Sequence, residues 1–247
     1  MQIKNIQFKP GFLATALALA LVVFLSSLGI WQLNRATEKT RDQERRTQNI
    51  VKTIDSFPGD LTHLPERVGA RVRVRGQFVT DRQAALANSM FNHRPGFYVL
   101  VPFKIHNRSE QVLVMRGWIP PLTLSHQLPT LPAVNSENFE LEGIIDRPPA
   151  VGIKLGKPDA GYPTWPKLLS YVDMKWYSEQ MGVPFLPVVL KQTAVVTAGV
   201  TNDWAALGIG VNAMPAVKHL GYAFQWFALA LVFLVVFIVV NLKRRVE

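Results

Sequence analysis

The chain has 247 residues, of which 49% are hydrophobic, and it carries a formal net charge of +10 without a single cysteine. The lack of cysteine excludes a disulfide framework, a CxxC redox pair, covalent c-type haem attachment, a thiolate zinc or copper site and an iron–sulfur cluster. The basic residues are spread along the chain, so the net charge does not predict a nucleic-acid partner. Anionic lipid head groups are the simpler partner for the terminal sequence "KRR".

Two uncharged stretches, residues 12–31 and 222–240, each have about the 20 residues that a helix needs to cross a hydrocarbon core of roughly 30 Å. They predict two membrane-spanning helices. The first stretch is long for the core of a signal peptide and no small-x-small cleavage site follows it, which predicts a retained anchor. Only eleven residues precede it, too few for an Arg-rich mitochondrial presequence, so we expect a bacterial inner membrane rather than an organelle.

The two spans put both termini on one side of the membrane and the middle of the chain on the other. Basic residues do not decide which side is which, because a basic cluster follows the first span and "KRR" follows the second. Long loops are translocated largely regardless of their charge. We expect both termini in the cytoplasm and the central domain in the periplasm.

Beyond the first span the sequence changes from a helical to a strand pattern. Residues 34–55 contain good helix formers and no Pro or Gly, which predicts that the first helix continues out of the bilayer as a solvated stalk. The sequence "FPGD" then ends it. Residues 70–79, "ARVRVRGQFV", alternate valine with arginine, as a half-buried strand does.

The rest of the central section predicts a mainly antiparallel β (α+β) extramembrane domain. Two apolar runs, "GFYVLVPFKIH" and "EQVLVMRGWIP", are joined by the polar turn "NRSE" and indicate a β-hairpin. Further strands are expected at "NFELEGIID" and "PVVLKQTAVVTAGV". The sequence "YVDMKWYSEQMG" is typical of a short helix with Asp173 near its start and Gly182 just past its end.

The predicted segments follow one another in a simple order. They are a cytoplasmic N-terminus (1–11), a transmembrane helix (12–31), a juxtamembrane helical stalk (32–56), a periplasmic β-rich domain (57–218), a second transmembrane helix (219–240) and a basic cytoplasmic tail (241–247).

Signatures of catalysis are not found in the sequence. It has no GxSxG, no P-loop, no HExxH and no GxGxxG that opens a helix after a strand. Four of the five histidines, at positions 63, 93, 106 and 126, are too far apart for the i, i+3 or i, i+4 pairing that points two imidazoles at one metal. Nothing in the sequence predicts an enzyme.

The fifth histidine, His219, lies at the start of the second span. At 100° per residue, the side chains within about 60° of it around the helix are those of Tyr222, Ala223, Trp226 and Ala230. Phe224 and Gln225 point elsewhere. Two interpretations are open: an aromatic belt at the membrane interface, or a site in which the imidazole binds haem iron.

The end of the first span offers further candidates for such a site. If the two spans are antiparallel, Trp31, Gln32 and Arg35 come to the level of His219. Arg35 could then pair with a haem propionate, and Trp31 could cover a ring face. Because cofactor sites in helix bundles are built from inward-facing side chains, the two spans could hold one haem between them.

Three motifs carry a resemblance to a known family. They are "LGIWQLNRATEK" (28–39), "GFYVLVPF" with "VLVMRGWIP" (96–103 and 112–120) and "HLGYAFQWFALA" (219–230). In this order on a two-span chain they resemble the surfeit locus protein one family, the cytochrome c oxidase assembly factors. Met115 stands where the family's pattern suggests asparagine, which puts a role for a side-chain amide there in doubt.

The resemblance implies a molecular function and a residue that binds haem iron. It implies that the protein helps haem a reach subunit I of haem–copper oxidase during assembly, as a chaperone without catalysis, with the histidine of the second span as axial ligand. In this sequence that residue is His219. The resemblance also implies that both termini lie on the cytoplasmic side. Trp31, Gln32, Arg35, Tyr222 and Trp226 come from helix geometry instead.

Arg116 and Trp118, in the sequence "RGW", have two interpretations. They could end a strand, with Trp118 filling the core. They could instead form a docking surface for oxidase subunit I or for haem a synthase, because Arg and Trp are common anchors of interfaces.

Two alternatives to haem delivery stay open at the level of the sequence. One is a scaffold of the same family that holds subunit I without binding haem, so that His219 only packs. The other is an unrelated membrane-anchored interaction module.

Overall fold

The structure is a computed structural model that describes the whole chain except residues 1–5, 9, 51, 58–60, 62, 93, 122–127, 136, 138, 150–153, 155, 160, 194–198, 205–214 and 245–247. Its contacts divide the chain into two compact units. The first unit comprises Met1–Gln43 and Asn212–Glu247, and the second comprises Glu44–Val211.

Within the residues described, the chain forms three α-helices and ten strands. The helices are α1 (Phe12–Ile50), α2 (Met174–Met181) and α3 (Ala216–Asn241). The strands are β1 (Ile6–Phe8), β2 (Thr53–Ile54), β3 (Arg71–Phe78), β4 (Ala84–Phe91), β5 (Arg94–Ile105), β6 (Gln111–Ile119), β7 (Phe139–Asp146), β8 (Lys167–Leu169), β9 (Phe185–Gln192) and β10 (Leu242–Arg244).

Helices α1 and α3 are both long and apolar enough to cross a membrane, which confirms the predicted two-span architecture. The 39 residues of α1 extend over about 58 Å, so the helix is much longer than a hydrocarbon core of roughly 30 Å. The predicted stalk is thus helical, but it ends at Ile50 rather than near Asp55. Thr53 and Ile54 are β-branched and pair with the start of β3 instead.

The two ends of the chain pair with each other in the first unit. Strand β1 runs antiparallel to β10, with Ile6 opposite Arg244 and Phe8 opposite Leu242. The ring of Phe8 also meets the ring of Phe237 of α3 edge-on, with 6.3 Å between their centroids. These strands were not predicted, because neither segment has enough residues to show a periodic pattern.

Five strands of the second unit close into a barrel. The order around the ring is β3, β7, β9, β6 and β5, and β3 completes it by pairing with β5 through its last three residues. Only the β6–β9 contact in this ring is parallel, so the predicted mainly antiparallel β domain is confirmed. Strands β4 and β8 extend the sheet beyond β5, and β2 extends it beyond β3.

The predicted alternation of β3 is confirmed: its valines are buried and its arginines are exposed. Val72 and Val74 join the main apolar core with Phe103 of β5 and Leu141 of β7. The predicted hairpin is also confirmed as β5 and β6. All nine residues of β6 are buried because a second core, which includes Trp176 and Tyr177 of α2, covers the other face of the strand.

Helix α2 begins and ends as the sequence predicted. Asp173 is the N-cap, and its carboxylate accepts hydrogen bonds from the backbone N–H groups of Lys175 at 3.0 Å and Trp176 at 3.2 Å. Gly182 ends the helix with a left-handed φ of 67°. The ammonium of Lys154 also donates to Asp173 at 2.9 Å. That bond, followed by the bond from the Trp176 N–H, lowers the pKa of Asp173.

We expect Asp173→Ala to destabilise the second unit by about 1 kcal/mol, the usual cost of losing an N-cap. Because the pKa of Asp173 is lower in the folded state than its ordinary 3.8, its stabilisation is present above that pH and is lost as the pH falls through the folded value. Thermal unfolding of the detergent-solubilised protein, followed by tryptophan fluorescence, measures the effect. Asp81→Ala is the matched control, since Asp81 lies in an exposed pair with Arg82. Equal effects of the two substitutions would contradict the cap.

Candidate functional site

His219 lies in the first turn of α3 and faces α1. Its side chain is buried, with the residue 8% exposed, and its Nδ1 atom lies 2.7 Å from Oε1 of Gln32. The two residues are 187 positions apart in the chain. They meet because α1 and α3 run antiparallel, the condition under which Gln32 was expected at the level of His219.

The contact between the helices continues one turn away, at Gly29 of α1. A Cβ atom added at Gly29 would lie only 2.7 Å from the ring carbons of Phe227, so the glycine gives that ring its space. Ala223 and Ala230 of α3 are also buried. Ala223 and Ala230 belong to the predicted face of His219, whereas Phe224 of the opposite face is 74% exposed.

The aromatic candidates lie at the edges of this contact rather than inside it. Tyr222 and Trp31 are 42% and 51% exposed, and Trp226 is half-buried. Near His219, α1 and α3 are in direct contact at two points, Gln32 with His219 and Gly29 with Phe227. A flat cofactor at His219 would therefore lie against the flank of the helix pair, or the helices would separate to admit it.

Arg35 already has partners in the structure. Its Nη1 atom lies 2.7 Å from Oε2 of Glu38, and its guanidinium lies 6.0 Å from the ring centroid of Trp31. Both members of the ion pair are at least half exposed, and such surface pairs contribute little to stability. A carboxylate ligand could therefore replace Glu38 at small cost.

Arg116 of the second unit lies in a β-bulge. Val99 pairs with Gly117 and Leu100 pairs with Met115, so Arg116 is the extra residue of the bulge. The Arg116 side chain is buried, and its Nη1 atom donates to the carbonyls of Pro132 at 3.2 Å and Ala133 at 3.3 Å. Burial lowers the pKa of its guanidinium.

Gly117 follows with a φ of 149°, a conformation that favours glycine, and a Cβ atom there would lie 2.5 Å from the carbonyl oxygen of Thr201. This close approach lets Trp118 and Thr201 exchange two backbone hydrogen bonds. The Trp118 ring packs against Phe91 and lies over Gly96. Its Nε1 donates to the carbonyl of Ser89 at 3.1 Å.

Arg116 and Trp118 are thus packed inside the second unit. These contacts inside the second unit explain why an arginine and a tryptophan occur here, and no docked protein is needed to explain them. A role for Arg116 and Trp118 in docking the oxidase stays a prediction.

Comparison with known proteins agrees with the motifs. Residues 19–231 match the sequence profile of the SURF1 family. The chain belongs to the SURF1 family. All three motifs and all eight candidate residues lie within the matched range.

Relatives of this SURF1-family chain occur in bacteria and animals. A SURF1-like protein of Rickettsia bellii is 26% identical over 219 residues, covering 87% of this chain and 85% of the relative. One from Rickettsia prowazekii is 26% identical over 231 residues, covering 90% and 87%. One from Caenorhabditis elegans is 26% identical over 265 residues, covering 95% and 75%.

The donor set at His219 is compatible with haem. A buried imidazole whose second nitrogen is hydrogen-bonded is the usual form of a metal-ligating histidine. Tyr222 and Trp226 lie on the same stretch of α3 and can pack against a macrocycle. Gly29 and Phe227 lie within two of the three family motifs, but helix geometry around His219 gave neither of them a role.

Proposed function

We propose that this SURF1-family protein is an assembly factor for haem–copper cytochrome c oxidase that binds haem a at His219 and assists its delivery to oxidase subunit I. The observation that carries the proposal is the buried imidazole of His219, held by Gln32 at one end of the two spans. An isolated histidine in an apolar span costs free energy unless it has a hydrogen-bond partner or a function. Here Gln32 is that partner, and it orients the ring. The three family motifs support the same function.

Each candidate residue has a specific task under this proposal. Haem a would supply an iron centre that accepts a nitrogen ligand. His219 would hold that iron through its imidazole, and Tyr222 and Trp226 would pack against the macrocycle. Trp31 covers part of the ring, and Arg35 offers a guanidinium to a propionate. None of these tasks requires the protein to catalyse a reaction.

We further propose that the protein resides in the bacterial inner membrane with both termini in the cytoplasm and the β-rich unit in the periplasm. Long loops cross the membrane largely regardless of charge, and "KRR" at the end of α3 would face anionic lipid head groups. His219 then lies near the periplasmic leaflet.

One observation favours a second candidate function. Because Gln32 bonds His219 and Gly29 meets Phe227, His219 could serve only to pair α1 with α3. The protein would then be a scaffold that holds subunit I while another factor inserts the haem.

The optical spectrum of protein purified from cells that make haem a distinguishes these functions. We expect a Soret band in the wild type and its loss in His219→Ala, because the iron loses its axial ligand. His63→Ala is the matched control, since His63 is an exposed histidine of the second unit, and it should keep the band. Co-purification of oxidase without a Soret band would support the scaffold instead. If the wild type shows no Soret band and co-purifies no oxidase, both functions are contradicted.

A further inference from the structure

The hydrogen bond between Gln32 and His219 defines which nitrogen of the imidazole is free to bind a ligand. A neutral imidazole has one N–H donor and one nitrogen with a lone pair. The atom of Gln32 that faces Nδ1 of His219 is the amide oxygen Oε1, which only accepts hydrogen bonds. A hydrogen bond to this oxygen requires a proton on Nδ1, which leaves the lone pair of a neutral imidazole on Nε2.

We propose that Gln32 is a positioning residue: it fixes the tautomer and the orientation of His219 so that Nε2 is the nitrogen left to bind a ligand. The identity of the ligand as haem iron rests on the proposed function. The tautomer and its dependence on Gln32 do not, because they are properties of the protein alone.

Because His219 is buried, its hydrogen bond to Gln32 holds the imidazole ring in one orientation. The imidazole of His219 is covered, so an Nδ1–H without an acceptor would be a buried polar group that is neither hydrated nor bonded. Gln32 is half-buried on α1 one turn after Gly29, where the Phe227 contact brings the two helices together. The acceptor is therefore held by the helix pair itself.

The arrangement also determines where a ligand can approach. Nδ1 and Nε2 lie on roughly opposite sides of an imidazole ring, so a bond to Nε2 points away from Gln32. A cofactor at Nε2 would therefore lie on the side of His219 away from Gln32, and because the residue is only 8% exposed, neighbouring side chains would have to move to admit it.

The tautomer can be measured without any haem. In full-length protein labelled with ¹⁵N-histidine, the ring nitrogen shifts distinguish Nδ1–H from Nε2–H, and His219→Ala identifies its signals among the five histidines. We expect Nδ1–H in the wild type, its loss in Gln32→Leu and its recovery in Gln32→Glu, whose carboxylate is again an acceptor. Gln225→Leu, on an exposed site of α3, should leave the tautomer unchanged. An Nε2–H tautomer in the wild type, or an Nδ1–H that persists in Gln32→Leu, would overturn the proposal.

Haem a titration adds a second reading. We expect Gln32→Leu to bind haem a about 10–100-fold more weakly than the wild type, the usual effect of removing the hydrogen-bond partner of a ligating histidine. The iron–histidine stretching frequency of the reduced complex should fall in Gln32→Leu and rise in Gln32→Glu. An unchanged affinity and frequency would contradict the positioning role. If the wild type binds no haem a while its tautomer depends on Gln32, the proposed function fails and the positioning of His219 stands.

Discussion

Asp146→Asn is expected to destabilise the second unit by about 3–5 kcal/mol, because the substitution leaves a buried cation without its counter-ion. Asp146 is buried, its Oδ2 atom is bonded to the ammonium of Lys191, and its Oδ1 atom lies 3.0 Å from Nη1 of Arg46. Burial lowers the pKa of Lys191, so the charged form of this side chain depends on the carboxylate. Thermal or denaturant unfolding of the solubilised protein measures the loss, with the fluorescence of nearby Trp204 as a probe.

A matched surface pair separates the effect of burial from that of charge. Glu142→Gln removes a carboxylate of the same strand, β7, from its exposed pair with Arg73, and should cost at most about 1 kcal/mol. The double substitution of Asp146→Asn with Lys191→Met should recover part of the loss, since the buried ammonium is gone. If Asp146→Asn costs no more than Glu142→Gln, the carboxylate of Asp146 does not hold the buried cation.

Contacts of this kind could not be derived from the sequence. Asp146 is the last residue of a correctly predicted strand, and Arg46 lies in a correctly predicted helix. Their pairing joins positions 100 residues apart, and helix or strand periodicity holds no information about it. A residue that was interpreted as part of a solvated stalk thus binds a buried carboxylate.

Patterns over a few neighbouring residues predicted the helices and strands that those same residues determine. The alternation of valine and arginine predicted β3, and Asp173 and Gly182 predicted the ends of α2. Strand β4 was missed because its sequence, "AALANSMF", lacks β-branched residues. It is a strand because it pairs with β5 along its length and with β8 at its start.

The candidate site was predictable in part for the same reason. Helical geometry placed Ala223 on the face of His219, and antiparallel spans placed Gln32 at its level. The distance between the two helices depends on the side chains that meet there, above all on Gly29 and Phe227. That distance decides whether a cofactor lies between the helices or beside them. It cannot be read from the sequence and is known only from the structure.

Trp118→Ala is expected to destabilise the second unit by about 3–5 kcal/mol, the usual cost of truncating a buried tryptophan. The substitution leaves a cavity beside Phe91 and over Gly96, and the carbonyl of Ser89 loses the Nε1 donor. The thermal midpoint of the solubilised protein and its yield after gel filtration measure the loss.

Trp118→Phe distinguishes packing from docking. Phenylalanine keeps most of the ring contact with Phe91 and loses only the hydrogen bond to Ser89, so it should cost about 1–3 kcal/mol and leave a folded protein. Because the indole is buried, this variant should still co-purify with the oxidase if the oxidase is the partner. A stably folded Trp118→Ala protein that no longer binds the oxidase would show instead that the indole contacts the partner, and that the second unit opens at this bulge when it docks.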